Sequence, residues 1–317
     1  MNRLEKRHLY VPAQRQATGV EAIVHNAVAF ALAPLSLAFA RMTGMPGTAE
    51  HLQCAALALR RFWQRAPISR AELRHLTFAP FDSVRYFEFG HLLGCLARQP
   101  GAGKYLDVSS PRLFVALVLQ NHPCDACDVL NPDKRDLAET ERLLGLLGLA
   151  EHCTFNPSLV ADAAYAPETF DTISSISVIE HIPEDRDAIA RIWSWLRSGS
   201  RLYLSVPCAQ WAFAEYQETS EYGLLPPEPD GSFFLQRFYD EQLLRERVWS
   251  VTGEPASMSI FGERSPGLYE RIRQRKFRTQ SYPYYLESYF MAASFQRFGS
   301  FQAMPGMGVV AMEFLKP

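Results

Sequence analysis

A glutamate and a histidine stand side by side at Glu180-His181, near the end of the run FDTISSISVIEHIP from Phe170 to Pro183. An ordinary imidazole titrates near pH ~6.5, so a histidine at a reactive site can exchange a proton at neutral pH, and an adjacent carboxylate can orient it or hold a substrate. What such a pair can do depends on the element that carries it. Thr172 to Val178 sets Ile and Val among small serines, which predicts a central strand covered on both faces. In open α/β sheets, ligands bind beyond the carboxyl ends of the strands. Ser177, Glu180 and His181 are therefore expected to line a nucleotide-type site.

The 317 residues, 48% hydrophobic and 21% charged, suffice for one large core with an accessory region or for two small domains. A formal charge of -2 gives no general attraction to nucleic acid or anionic lipid, although a local patch escapes that argument. The basic run ERIRQRKFR, Glu270 to Arg278, reads as a solvated helix, so no nucleic-acid partner is expected. Six thinly spread cysteines and no secretory signal at the start fit a reducing cytoplasm without structural disulfides. Cys124 and Cys127 form a CxxC near His122, but a zinc ion needs further ligands at workable spacing, and the pair reads as buried small hydrophobes. No metal is expected.

The first 100 residues read as a helical accessory region. Ala49 to Ala66 places apolar groups at helical spacing. Ala27 to Ala40 is apolar over 14 residues, short of the roughly 20 that cross a bilayer, and Pro34 interrupts it. It reads as a buried or oligomer-forming helix pair, with an interfacial helix at a membrane surface as the alternative. After the turn formers from Gln99 to Gly103, the rest of the chain, 101–317, alternates strands and helices. Strands are expected at Lys104–Val108, Cys124–Leu130, Cys153–Phe155, Thr172–Val178, Arg201–Val206, Ala256–Phe261 and Gly308–Leu315. Ser110-Pro111 and Asn131-Pro132 read as helix starts, and Gly199 as the residue closing a helix from Pro183 to Arg197. Lid insertions are expected near 208–237 and 262–307.

KYLDV, CDVLNPD, FDTISSISVIEHIP, LRSGSRLYLSVP and QRFYDEQLLRERVWSVTG, taken together, resemble the successive motifs of class I S-adenosylmethionine-dependent methyltransferases acting on small molecules. The likeness runs from about Lys104 to Phe261 and includes the final strand. It implies an α/β doubly wound, Rossmann-like sheet of seven strands, the last antiparallel, with a helical N-terminal extension. It also implies S-adenosyl-L-methionine as cofactor. Asp107 matches the acid ending the first strand. The glycine-rich turn that follows in the family is replaced by Ser109-Ser110-Pro111-Arg112, whose hydroxyls are expected to supply contacts that the glycine backbone would give. The acid gripping the ribose hydroxyls would be Asp128, with Asp125 and Asn131 as register alternatives, and Asp162 would meet the adenine amino group.

The resemblance further implies methyl transfer to a small-molecule or sugar-containing acceptor. O-methylation is favoured because His181 suits a base, with Glu180 orienting it or binding substrate. Tyr86, Trp211, Tyr216, Tyr222, Arg237 and Glu263 are the expected substrate-side residues. Two rivals remain: a non-catalytic binding or assembly protein on a degenerate methyltransferase fold, and a nicotinamide-dependent oxidoreductase, which would need a fingerprint that is missing after the first strand.

Overall fold

A computed structural model describes residues 4–9, 19–220, 223–278 and 284–317. Strand β1 (Glu5–His8) and helices α1 (Gly19–Met42), α2 (Thr48–Trp63), α3 (Arg70–Phe78) and α4 (Arg85–Leu96) precede the alternating half. There, β2 (Gly103–Val108), α5 (Arg112–Asn121), β3 (Cys124–Leu130), α6 (Lys134–Leu147), β4 (Cys153–Asn156) and β5 (Phe170–Ile176) lead into a short 3-10 turn, Ile179–His181. Then come α7 (Asp185–Trp195), β6 (Leu196–Ala209), β7 (Phe213–Gln217) and β8 (Phe233–Phe238). Helix α8 (Glu241–Leu244) runs through a π turn into α9 (Ser250–Thr252). Next follow β9 (Ser257–Glu263), α10 (Leu268–Arg278), α11 (Glu287–Ser294), β10 (Phe295–Phe298) and β11 (Met307–Leu315).

The main sheet has the order β10-β9-β11-β6-β5-β2-β3-β4. Strands β6, β5, β2, β3 and β4 are mutually parallel, and β11 lies antiparallel between β6 and β9. One core packs α2, α4, α5 and α6 on one face of the sheet, and another packs α7 and α8 on the other. Both faces of the central strands are thus dry, which is why β2 and β5 tolerate no exposed position near their carboxyl ends.

Several boundaries differ from the sequence expectation, each for a local reason. The sheet has eight strands, because β10 extends it past β9. Helix α5 starts at Arg112 with Pro111 as its cap residue, since the Ser110 hydroxyl is already bonded to the Ile176 amide at 3.2 Å. Helix α6 is capped by Asp133, which accepts from the amides of Arg135 and Asp136, while Asn131 forms the preceding turn by accepting from the Asp133 amide. Helix α7 stops at Trp195, and Lys316 donates to the carbonyls of Trp193 and Leu196, so Gly199 falls inside β6 rather than closing the helix. The apolar stretch containing Pro34 is one helix, α1, and not a pair. Within the expected lid of 208–237, β7 and β8 pair as a hairpin, and β1 adds a parallel third strand.

Candidate functional site

Strand order reverses at β2, because β3 lies on one side of it and β5 on the other. A cleft of about 830 Å³ opens there, in the range that holds small molecules and cofactors. Its floor is the turn from Val108 to Arg112, one wall is Leu130 to Asp133 with Leu159 to Ala161, and the other is Ser177, Val178 and His181 to Glu184, with Glu180 buried behind it. Leu224, Leu225, Phe234 and Leu235 from the hairpin region close over it, and Arg85 enters from α4.

The floor is a hydrogen-bonded turn. Ser109 has φ 52°, a left-handed conformation that glycine takes most cheaply, and its amide and hydroxyl both donate to the Leu130 carbonyl, at 2.9 and 3.0 Å. The backbone shape that the missing glycine would supply is therefore present with serine in its place. Asp107 lies fully buried beneath, accepting from the Ser110 amide at 3.0 Å, the Ser174 hydroxyl at 2.7 Å and the Tyr105 hydroxyl at 3.2 Å. Burial pushes its carboxyl up to about 6 against the pull of those hydrogen bonds. Asp107 thus shapes the turn from below and does not line the cleft, whereas Ser109 and Ser110 do.

The opposite rim is the corner after β5. Ser177 repeats the left-handed conformation, φ 51°, and its hydroxyl donates to Glu88 on α4. Glu88 is fully buried, accepts also from Ser205 at 2.7 Å, and pairs with Arg85 at 2.6 Å. The Nη1 of Arg85 goes to Glu88, while its Nε and Nη2 have no acceptor among the described residues. That edge is a ready two-donor fork for a carboxylate. Sequence reasoning missed Arg85 and Glu88, although both lie within two residues of Tyr86, which it did single out.

His181 lines the cleft and bonds the Leu235 carbonyl of β8 through Nδ1 at 2.7 Å. A carbonyl accepts only, so Nδ1 carries the proton and the lone pair of the neutral ring is on Nε2. Burial lowers the imidazole below its ordinary value, more than the Leu235 bond raises it, and nearby Arg85 adds to the lowering. The ring is accordingly neutral near pH 7. Glu180 is 2% exposed, with Oε1 3.9 Å from His181 Nε2 and Oε2 buried without a hydrogen-bond partner. Burial pushes its carboxyl up to about 8, and Arg85 counters only part of this, so the protonated form prevails near neutrality.

Other predicted residues are spread more widely. Asp128 is half-buried on β3 and does not line the cleft, nor does exposed Asp125, whereas the third register alternative, Asn131, does. Asn131 donates to Asp136, and Arg112 donates twice to the same carboxylate, at 2.9 and 2.6 Å. Asp162 is exposed, while its neighbours Val160 and Ala161 face the cleft. Tyr86 is a core residue whose hydroxyl meets His51 at 3.0 Å. Trp211 is 71% exposed, outside the cleft lining. Tyr216 sits on β7 under Lys6. Glu263 is buried, accepting from the amides of Gly267, Tyr269 and Met307, and so braces a loop. Tyr222 falls outside the described residues. Arg237, expected on the substrate side, instead binds buried Asp185 and the carbonyls of Ile182 and Pro183, while Arg247 and Tyr239 hold the same carboxylate. Arg237 thereby fixes the segment just after His181.

A parallel sheet running outward from β2 in both directions, with an antiparallel last strand set inside its edge, decides the architecture. The chain folds as a doubly wound, largely parallel α/β sheet, as the sequence resemblance implied. No family model matches the sequence, and no curated protein matches it. Similar solved structures include a protein of Bacillus halodurans C-125 described as a methyltransferase, 11% identical over 73% of this chain and 99% of that one, with a TM-score of 0.49. A geranyl diphosphate methyltransferase in complex with S-adenosylmethionine is 13% identical over 78% and 88%, with a TM-score of 0.47. A sarcosine dimethylglycine methyltransferase assignment from Galdieria sulphuraria is 13% identical over 71% and 84%, also with a TM-score of 0.47. At such identities and TM-scores, chemistry has to be argued from this chain's own cleft.

Proposed function

We propose that this chain is an S-adenosylmethionine-dependent methyltransferase acting on a small molecule, with an oxygen as the favoured acceptor atom. The observation that carries the reading is the cleft at the strand-order reversal, where Ser109 keeps a glycine-like turn on one side and His181 presents a neutral imidazole on the other. The residues present fit the cofactor. Arg85's open edge suits the carboxylate of its amino-acid part, Asn131 and Asp133 lie where a ribose diol could be held, and Leu159 to Ala161 offer an apolar wall for a base.

When bound, the cofactor supplies an activated methyl group on a sulfonium, already a good leaving group. The protein's share is then positioning, exclusion of water and removal of a proton from the acceptor. Leu224, Leu225, Phe234 and Leu235 exclude water. His181 takes the acceptor's hydroxyl proton on Nε2, and the Leu235 carbonyl holds Nδ1–H so that only that nitrogen is basic. Protonated Glu180 adds no negative charge beside the forming imidazolium. Isothermal titration with S-adenosylmethionine and with its demethylated product tests the reading: binding of both is expected, and binding of neither removes it.

One observation favours the rival of a non-catalytic protein on the same fold. Pro111 offers no amide at the turn, and Arg112 occupies Asp136 beside the wall assigned to the ribose. Absence of binding in the same titration would favour this rival.

A further inference from the structure

The accessory helices carry an apolar surface that the cleft does not explain. Among the described residues, nineteen large hydrophobic side chains are exposed and thirteen of them lie between Val20 and Trp63, so the surface is concentrated and not scattered. Helix α1 rests on the body through a narrow face of small residues, Ala29, Ala33, Ser36 and Ala40. The Ser36 hydroxyl bonds Ser288 at 2.7 Å and accepts from the Tyr289 amide at 2.9 Å. At about 100° per residue, Val20, Val24, Leu35 and Met42 fall on the opposite side, exposed by 74, 52, 66 and 87%. With α1 about 36 Å long, that side is a continuous apolar ridge. Yet no described helix is long and apolar enough to cross a membrane.

Charge says what could cover the ridge. Residues 19–78 hold six arginines, no lysine and no aspartate, against three glutamates, in a chain whose formal charge is -2. Arg41, Arg60, Arg65, Arg70 and Arg74 are exposed and make no ion pair among the described residues. Exposed Trp63 and Tyr289, the latter 5.1 Å from Phe39 on α1, add the amphipathic rings that favour a water–lipid boundary. A second copy would bring like charges together, whereas an anionic bilayer would neutralise them.

We infer that the exposed side of α1, together with the exposed arginines of the accessory helices, is a docking surface for an anionic lipid bilayer, on which the protein lies without spanning. Apolar insertion and arginine attraction each contribute, so neither alone gives full binding.

Co-sedimentation of the full chain with vesicles of phosphatidylglycerol and phosphatidylcholine, against vesicles of phosphatidylcholine alone, tests this. Binding to the anionic vesicles at least tenfold above the neutral ones is expected, falling as salt rises. Both Val24→Glu/Leu35→Glu and Arg60→Glu/Arg65→Glu should lower it tenfold or more, with circular dichroism checking that each variant is folded. The inference is overturned by equal binding to both vesicle types, or by no binding. It is equally overturned if sedimentation velocity shows a dimer, without lipid binding, that the α1 variant dissociates, since the ridge would then belong to a second copy.

Discussion

The two strand ends that face each other across the cleft share one backbone device and differ in how their acids are held. Each passes through a left-handed serine, Ser109 after β2 and Ser177 after β5, so both segments turn sharply there. Below Ser109, the buried carboxylate of Asp107 accepts three hydrogen bonds. Beyond Ser177, the buried carboxyl of Glu180 leaves Oε2 unpartnered beside a neutral histidine. A satisfied acid fixes geometry, whereas an unsatisfied one stores electrostatic free energy that a ligand or a proton can release. The Ser109 side is thus built for shape, and the Ser177 side holds the titratable pair.

Removing Asp107 should have the largest effect, because it leaves the buried Ser110 amide without its acceptor and takes one hydrogen bond each from the Tyr105 and Ser174 hydroxyls, which keep their mutual bond. Asp107→Ala is expected to lose about 3–5 kcal/mol in urea unfolding, and a loss below about 1 kcal/mol would mean the turn stands without it. His181→Ala should keep the fold and the affinity for demethylated cofactor but lower kcat by roughly 100-fold or more. Equal kcat would take the ring out of the reaction. On the proposed reading, because burial lowers the imidazole, the acid limb of kcat/KM for the parent chain should fall below the usual histidine range, near ~6.5. A limb above that value would mean the ring is stabilised in its charged form.

Glu180 gives a smaller, pH-dependent contrast. Its folded value, about 8, lies above the ordinary 4.5, so between those values the folded chain binds the extra proton and stability falls as pH rises, by up to about 1.4 kcal/mol per pH unit. Glu180→Gln should therefore match the parent near pH 5 and exceed it in denaturant resistance at pH 8, and a constant gap across that range would refute the protonated assignment. Smallest is Ser109→Gly. It relieves a left-handed cost of about 1 kcal/mol and loses one hydroxyl bond to Leu130, so the net change in thermal stability should stay within about 1 kcal/mol.

The parallel strands were legible because their apolar runs are buried on both faces, and the sheet follows almost directly from KYLDV, CDACDVL and FDTISSI. Helix starts shifted by one or two residues wherever a serine or asparagine had a better partner, as Ser110 does in the Ile176 amide. The hairpin of β7 and β8 hid in the expected lid, since pairing across 15 intervening residues leaves no local signature. Within the cleft, Ser109, Ser110, Ser177 and His181 were readable from their places at strand ends. Arg85 was not, for it reaches the cleft from a helix outside the alternating half. Tyr86, Arg237 and Glu263 looked like substrate ligands by type, and only tertiary packing shows that each spends its polar atoms on the protein's own backbone or core.

The hairpin has a mechanical side. Residues 5–8 are laddered to β7, β7 to β8, and β8 offers both the Leu235 carbonyl gripping the imidazole and the Arg237 side chain tethering the residues behind it. A weight hung on the chain ahead of Glu5 would tug, through two rows of backbone bonds, on the oxygen that decides which ring nitrogen keeps its hydrogen.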